Sequence, residues 1–277
     1  MKKVIALLIC IISLFCFTSC GKTVKLNDMA KFGEKSTAVQ AKAWVNNLTN
    51  RKNPEKNNWY DFKMDFEIEE RDEGSKAKVE YLIEATFLQT DNREDFLCKM
   101  SVDFEYKESY EMNGEAQSNL TKVKMDIICI GETAYAEVEV KITENDGNEK
   151  LTSNESAKIK STINESEEFF IGFFEALDVV SIDYLQYTLE GFDYYYLNDN
   201  YFGAKRIEGD RVSIYFEFED GTSLITEAGY KEKVKMNSEG KYDISVFLSI
   251  CEHISVEIPK DADLYEIGEI PEFVVLS

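Results

Sequence analysis

The sequence contains a single histidine, His253, and this scarcity removes most routes to acid–base and metal chemistry. Histidine is the usual general base in catalysis and the commonest metal ligand in proteins. His253 stands in a predicted strand two residues after Cys251, and both face the polar side of that strand. Because the remaining ligands would have to come from elsewhere in the chain, we expect no metal site.

Catalytic motifs are absent as well. The chain has no Gly-x-Ser-x-Gly, His-Glu-x-x-His, P-loop or Gly-x-Gly-x-x-Gly pattern. Some of its 53 acidic residues must lie near one another, as in a two-carboxylate glycosidase, but nothing singles out a pair. We predict that the protein is not an enzyme and uses no cofactor.

Long apolar runs and basic residues are also scarce. The longest apolar run, residues 4–17, has about 14 residues, whereas a membrane-spanning helix needs about 20. The 31 Lys and Arg against 53 Asp and Glu give a formal charge of −22. Because such a chain repels nucleic-acid phosphates and anionic lipid headgroups, we expect no nucleic-acid partner. The sequence identifies no protein partner.

The N-terminus carries the order of a secretory signal. Lys2 and Lys3 precede the apolar run, and the small residues Thr18 and Ser19 precede Cys20. This stretch resembles the lipobox of bacterial lipoproteins. The resemblance implies that the signal peptide, residues 1–19, is removed and that Cys20 becomes a lipid-modified N-terminus. We therefore expect a lipid-anchored protein on the outer, extracytoplasmic face of a cell membrane, since two or more acyl chains anchor stably.

A tether and a helix follow the anchor. Residues 20–35 are polar and aperiodic, which indicates a flexible tether. Thr37 and Gln40 have the spacing of a capping box, and an apolar stripe through Trp44 predicts a helix from about residue 38 to residue 49. Beyond this tether we expect a single β-rich domain over residues 36–277, with a half-boundary near residues 145–165.

Strict alternation of apolar and charged residues predicts long, half-buried strands from Tyr60 onward. Asn113-Gly114 is a strong hairpin signal, and a two-residue turn there places Phe104 opposite Val123. The same register places Cys98 opposite Cys129. That spacing permits a disulfide, although two packed thiols are the alternative. A later turn at Asp220-Gly221 is expected to place Ile214 opposite Ala228.

Two segments interrupt this strand pattern. Residues 144–162 are rich in Asn, Ser, Lys and Glu, which predicts a long solvated excursion. A helical apolar face follows and is formed by Phe169, Phe170, Phe173 and Phe174. This helix covers the sheet or closes over a hydrophobic cavity. A Tyr-rich stretch, residues 182–202, comes after it.

We therefore predict an α+β, mainly β fold: one large, curved antiparallel sheet, or half-barrel, whose apolar face is covered by two or three helices. The pattern resembles the lipoprotein-carrier superfamily of LolA, LolB and the mycobacterial lipid-carrying lipoproteins. The likeness rests on Cys20, the tether, the helix around Trp44, the one-faced strands and the terminal Ile258-Pro259-Lys260-Asp261-Ala262.

This resemblance implies an apolar cavity that holds acyl chains, near Trp44, Phe169, Phe170, Phe173 and Phe174. The first functional hypothesis is accordingly a lipoprotein that binds a hydrophobic or lipid-like ligand. The alternative is a surface interaction or sensor domain without a cavity, which binds a protein or cell-wall component through an exposed Tyr194–Tyr196 region.

Overall fold

The computed structural model describes residues 36–51, 57–72, 74–90, 92–112, 115–147, 149–178, 193–198, 200–206, 211–236 and 240–271. Within these ranges the chain forms two α-helices, twelve β-strands and two short 3₁₀ turns. The helices are α1 (Ala38–Thr49) and α2 (Glu167–Asp178). The strands are β1 (Trp59–Asp72), β2 (Ser75–Leu88), β3 (Leu97–Met112), β4 (Glu115–Ile130), β5 (Thr133–Asn145), β6 (Lys150–Thr162), β7 (Asp193–Asn198), β8 (Tyr201–Arg206), β9 (Arg211–Phe218), β10 (Ile225–Met236), β11 (Gly240–Ile250) and β12 (Glu266–Ile267).

All twelve strands belong to one open sheet of order β12-β6-β5-β4-β3-β2-β1-β11-β10-β9-β8-β7. Two antiparallel meanders, β1–β6 and β7–β11, are joined where β1 pairs with β11. The one parallel pairing among the described strands is the short contact of β12 with the end of β6. The predicted mainly β, antiparallel architecture is therefore confirmed.

The helix and hairpin predicted from local signals form as expected. Helix α1 begins at Ala38 with a complete capping box between Thr37 and Gln40, which satisfies free backbone N–H groups at the helix start. Strands β3 and β4 pair in the predicted register, with Phe104 opposite Val123. Local sequence thus determines both elements.

Two sequence-based expectations for the strands are wrong. The solvated excursion predicted at residues 144–162 contains strand β6, which pairs with β5 along its whole length. Because β6 has no neighbour on its outer side before its short contact with β12, and residues 151–157 are exposed, it lacks the apolar alternation that marks a half-buried strand. In the second meander Ala228 lies opposite Phe216 rather than Ile214. The strands already begin one residue out of the predicted register, with Phe218 opposite Ile225, and the register shifts by one more between Ile225 and Glu227.

One face of the sheet holds the hydrophobic core. Alternate residues of each long strand point to this apolar face, and strands β1–β5 and β8–β11 each contribute buried side chains to it. At its centre the sequence supplies large groups that are almost fully enclosed: Phe62, Val102, Met125, Ile127, Phe202, Phe216, Ile244 and Val246.

The two helices lie against this apolar face. Trp44 of α1 contacts Phe202, and Phe173 of α2 contacts Phe62. A helix of 12 residues is about 18 Å long, whereas strands of 13–16 residues reach about 45–55 Å. The described helices therefore overlie part of the apolar face, and a cover of two or three helices over the whole face is not shown.

The opposite, polar face is organised by ion pairs between neighbouring strands. Glu67 accepts a hydrogen bond from Lys241 at 2.5 Å and pairs with Lys78 at 3.5 Å. The Lys241 bond and the nearby Lys78 charge hold the pKa of Glu67 below its ordinary value. Further pairs join Lys124 to Asp103 and Lys158 to Glu137. Charges on this face thus offset one another locally.

The junction of β1 and β11 depends on one glycine. A Cβ on Gly240 would lie 2.3 Å from the backbone oxygen of Glu69, and backbone cannot rotate away as a side chain does. We expect Gly240→Ala to destabilise the fold by about 1–3 kcal/mol through overpacking, measured by denaturant unfolding. Gly268→Ala is the matched control, since its Cβ would meet Ile159 at an ordinary 3.8 Å. Equal stability of the two variants would contradict this prediction.

Candidate functional site

The four phenylalanines predicted at a ligand cavity lie together on α2. Phe169, Phe170 and Phe173 are buried, and Phe174 is 36% exposed. The ring of Phe173 stands edge-on to Phe62, with ring centroids 5.2 Å apart. It makes a similar contact with Phe87 of β2 at 5.9 Å. Phe174 contacts Phe173 at 5.5 Å, so all four side chains belong to one aromatic cluster between α2 and the sheet, with Phe174 at its exposed rim.

Trp44, the fifth predicted residue, lies on α1 and contacts other strands. Its ring stacks on Phe202 at 5.1 Å and tilts against Phe218 at 5.8 Å. Trp44 is 8% exposed, and its Nε1–H has no hydrogen-bond acceptor in the described part of the chain. A buried donor without an acceptor costs about 1–3 kcal/mol.

The structure places these two aromatic groups at the same level of the sheet. Phe62, Leu248, Ala228, Phe216 and Phe202 form one row of directly opposed residues across five strands. Neighbouring strands are about 4.8 Å apart, so Phe62 beneath α2 and Phe202 beneath α1, four strands away, are separated by about 19 Å along this row. The predicted residues thus share a face and a level but form two groups.

The other end of the apolar face carries carboxylates, which our sequence analysis did not single out. Glu70 lies opposite Ala77, which in turn lies opposite Glu108. Burial raises the pKa of Glu70 above its ordinary value. Burial, followed by the charges of Glu108 and Glu70, raises the pKa of Tyr106 to about 12. Glu70 and Glu108 continue the alternation of the apolar face in β1 and β3, and this alternation is the sequence signal that could have identified them.

Glu232 is a further carboxylate on this face. It lies opposite Val212 and Ile244, and it is 9% exposed. Val212 in turn lies opposite Arg206 of β8, so the row of Glu232 also carries a basic residue. The apolar face therefore changes from aromatic beneath the helices to a surface with charged residues near the hairpins.

The polar face holds a depression of about 630 Å³. It lies across β11, β1, β2, β3 and β4, with Phe247 at one side and Ile128 at the other. Its lining mixes charged and polar residues with apolar ones. The charged and polar residues are Asp61, Lys63, Glu84, Thr86, Lys99, Ser101 and Asp126. The depression is separate from the aromatic groups on the other face.

The Tyr-rich segment is not exposed where the structure describes it. Tyr194 is 2% exposed and contacts Phe202, which contradicts the exposure expected from the interaction hypothesis. The side chains of Tyr195 and Tyr196 lie outside the described residues. Tyr215 packs over Gly229 and donates a hydrogen bond to Glu227 at 2.9 Å. These tyrosines serve the packing of the second meander.

The cysteines and the histidine form no described metal centre. Cys98 lies opposite Cys129 as predicted, and both are free, buried thiols, which is the packed-thiol alternative to a bridge. His253 is exposed and meets the ring of Trp59 edge-on at 5.1 Å. The described residues contain no group of three or more His, Cys, Asp or Glu able to hold a metal ion. Cys20 lies outside the described residues.

Comparison with known proteins identifies no family. No family model matches the chain, and no curated protein matches it. One similar solved structure is the translocator domain of the autotransporter NalP from Neisseria meningitidis. It has 7% sequence identity, covers 77% of this chain and 94% of its own, and has a TM-score of 0.21. At that score the likeness carries no conclusion. Across the described residues, no helix has the length and apolar character needed to cross a membrane.

The buried thiols give a direct chemical prediction. Burial raises the pKa of the Cys98 and Cys129 thiols, to about 12 for Cys129, so almost no thiolate forms at neutral pH. We expect neither residue to be alkylated by iodoacetamide at pH 7.5 in the folded protein, and both to be alkylated in 6 M guanidinium. Peptide mass spectrometry measures this. A Cys98–Cys129 linked peptide in the unreduced denatured sample would contradict it.

Proposed function

We propose that the protein is an extracytoplasmic lipoprotein, anchored through Cys20, whose domain binds a hydrophobic or lipid-like ligand on the apolar face of its sheet. The anchor is supported by the lipobox-like sequence before Cys20. Residues 20–35 then act as the tether between membrane and sheet. This places the domain at the membrane surface, close to a source of apolar ligands.

The unpaired indole of Trp44 carries the ligand-binding part of the proposal. Buried donors without acceptors are rare in folded proteins, and each one calls for an explanation such as a bound water or ligand. The Trp44 Nε1–H is nine-tenths buried among aromatic rings. An apolar ligand that carries an ester, carboxyl or hydroxyl oxygen would satisfy this donor.

A second candidate function has an observation of its own. The depression on the polar face is the observation that supports an interaction or sensor domain. Its mixed charges give no strong preference of sign, and the buried Tyr194 removes the contact surface first expected for that function. We therefore keep hydrophobic ligand binding as the main proposal.

The anchor is tested by Cys20→Ser. We expect the native chain to partition with membranes and to carry an acylated N-terminal cysteine, since diacyl anchors bind stably. The variant should be released into the soluble fraction without added lipid mass. Cys98→Ser is the control and should remain with the membrane. Membrane association of the Cys20→Ser chain equal to that of the native chain would contradict the proposal.

Ligand binding is tested with a fluorescent fatty-acid probe on the full chain carrying Cys20→Ser. Trp44→Phe removes the N–H but keeps most of the ring packing, and a net hydrogen bond is worth about 0.5–1.5 kcal/mol. We therefore expect affinity to fall by about 2- to 12-fold. The free energy of unfolding of the ligand-free variant should be unchanged or higher, because the substitution removes the buried Nε1–H that lacks an acceptor.

Trp59→Phe is the matched control and should leave the affinity unchanged. Trp59 is equally buried but lies beside His253 rather than between α1 and the sheet. The chain carrying only Cys20→Ser should bind the probe. If it does not, and if organic extraction finds no co-purified lipid, a hydrophobic ligand is excluded. The polar-face depression would then be the remaining candidate site.

A further inference from the structure

The depression on the polar face has two halves, which differ in how their charged groups are satisfied. In the half formed by β1 and β2, Lys63 pairs with Glu84. The Thr86 hydroxyl donates a hydrogen bond to Asp61 at 2.7 Å, and the Cys251 thiol donates another to the same carboxylate. The charged groups of this half therefore already have partners within the chain.

The half formed by β3 and β4 is different. Lys99, Ser101 and Asp126 line it, and their side chains make no hydrogen bond or ion pair with the described part of the chain. Asp126 lies near enough to Lys124 to feel its charge, but the ammonium of Lys124 pairs with Asp103 at 2.8 Å. This half thus presents a cation, a hydroxyl and an anion to a molecule that enters the depression.

The strand register fixes how these groups are arranged. Lys99 lies opposite Ile128, and Ser101 lies opposite Asp126. Lys99 and Asp126 are therefore diagonal neighbours, whose Cα atoms lie about 7–8 Å apart. The cation and the anion stand at two corners of a small rectangle, and the Ser101 hydroxyl and the half-buried Ile128 side chain occupy the other two.

The size and the charge of the depression limit what it can bind. Its volume of about 630 Å³ lies within the range of about 300–1,000 Å³ that is usual for small-molecule sites. Three acids and two lysines line it, so their charges nearly cancel. A strongly anionic or strongly cationic molecule gains little from such a lining. A molecule that is neutral overall but carries one charge of each sign matches it.

The spacing of the two charges indicates the length of that molecule. An extended chain advances about 3.3–3.6 Å per residue, so two residues span about 7 Å. We propose that the polar-face depression binds a short zwitterionic peptide of about two residues, with its carboxylate on Lys99 and its ammonium on Asp126. Charge-assisted hydrogen bonds hold both termini, and the C-terminal side chain lies against Ile128. This inference rests on the second candidate function and requires no ligand on the apolar face.

Three dipeptides that differ only at their termini test it. Alanyl-leucine, its N-acetyl form and its C-terminal amide are titrated at pH 7 into the full chain carrying Cys20→Ser, and binding is measured by calorimetry. We expect alanyl-leucine to bind about tenfold or more tightly than either blocked peptide, because each blocked form loses one charge-assisted hydrogen bond. The difference should shrink as salt screens the charges.

Equal affinities for the three dipeptides, or no binding of alanyl-leucine, would overturn the proposal. Tighter binding of free leucine than of alanyl-leucine would overturn the assigned length. Neither result bears on the hydrophobic ligand, because the fluorescent fatty-acid probe reports on the opposite face of the sheet.

Substitutions locate the two ends of the peptide. Lys99→Gln should weaken the binding of alanyl-leucine about tenfold but change the affinity for the C-terminal amide by less than about twofold, since the amide has no carboxylate for Lys99. Asp126→Asn should weaken alanyl-leucine in the same way and spare the N-acetyl peptide. Lys107→Gln is the matched control, because Lys107 is an exposed lysine on the same strand and face but outside the depression.

Both substituted side chains are exposed, so the variants should fold, and denaturant unfolding checks this. A folded Lys99→Gln chain that loses affinity equally for alanyl-leucine and its amide, or for neither, would show that Lys99 does not bind the carboxylate.

Discussion

The pairing of β1 with β11 is the contact on which the whole sheet depends. It runs through eleven successive residue pairs, from Tyr60 opposite Ile250 to Glu70 opposite Gly240. Hairpins build each meander from neighbours in sequence, but only this pairing joins the two meanders and makes their apolar faces continuous. Phe62 meets Leu248 across it, so the aromatic cluster beneath α2 and the core of the second meander become one core.

Sorting of side chains between the faces then gives the sheet two different surfaces. The polar face pairs charges across its strands, as Lys241 pairs with Glu67. The apolar face carries the rows of buried side chains that form the core, and Glu70 and Glu108 lie on it toward the hairpins. The same alternation therefore both builds the core and places charged residues at its end.

The sequence predicted features that depend on neighbouring residues better than features that depend on residues far apart in the chain. Local signals succeeded: the capping box at Thr37 and the hairpin at Asn113-Gly114 fixed a helix and a sixteen-residue register. Strand β6 was missed because residues 151–157 are exposed on both faces of the strand, so apolar and polar residues do not alternate there. The β1–β11 pairing joins residues far apart in sequence, which composition cannot reveal. The sequence correctly grouped the four phenylalanines of α2. That Trp44 lies apart from them, and that Glu70 and Glu108 lie close together, could be seen only from the observed strand pairing.

The position of β1 inside the sheet also sets an order for assembly in the cell. The N-terminal meander is made first, and its strands β2–β6 can pair as soon as they emerge. One side of β1 must wait until β11 has been made, about 180 residues later, so a long strand edge stays open during synthesis. Open edges of this kind can pair with strands of other chains. A protein with this topology therefore depends on rapid completion of its second half more than its final stability would suggest.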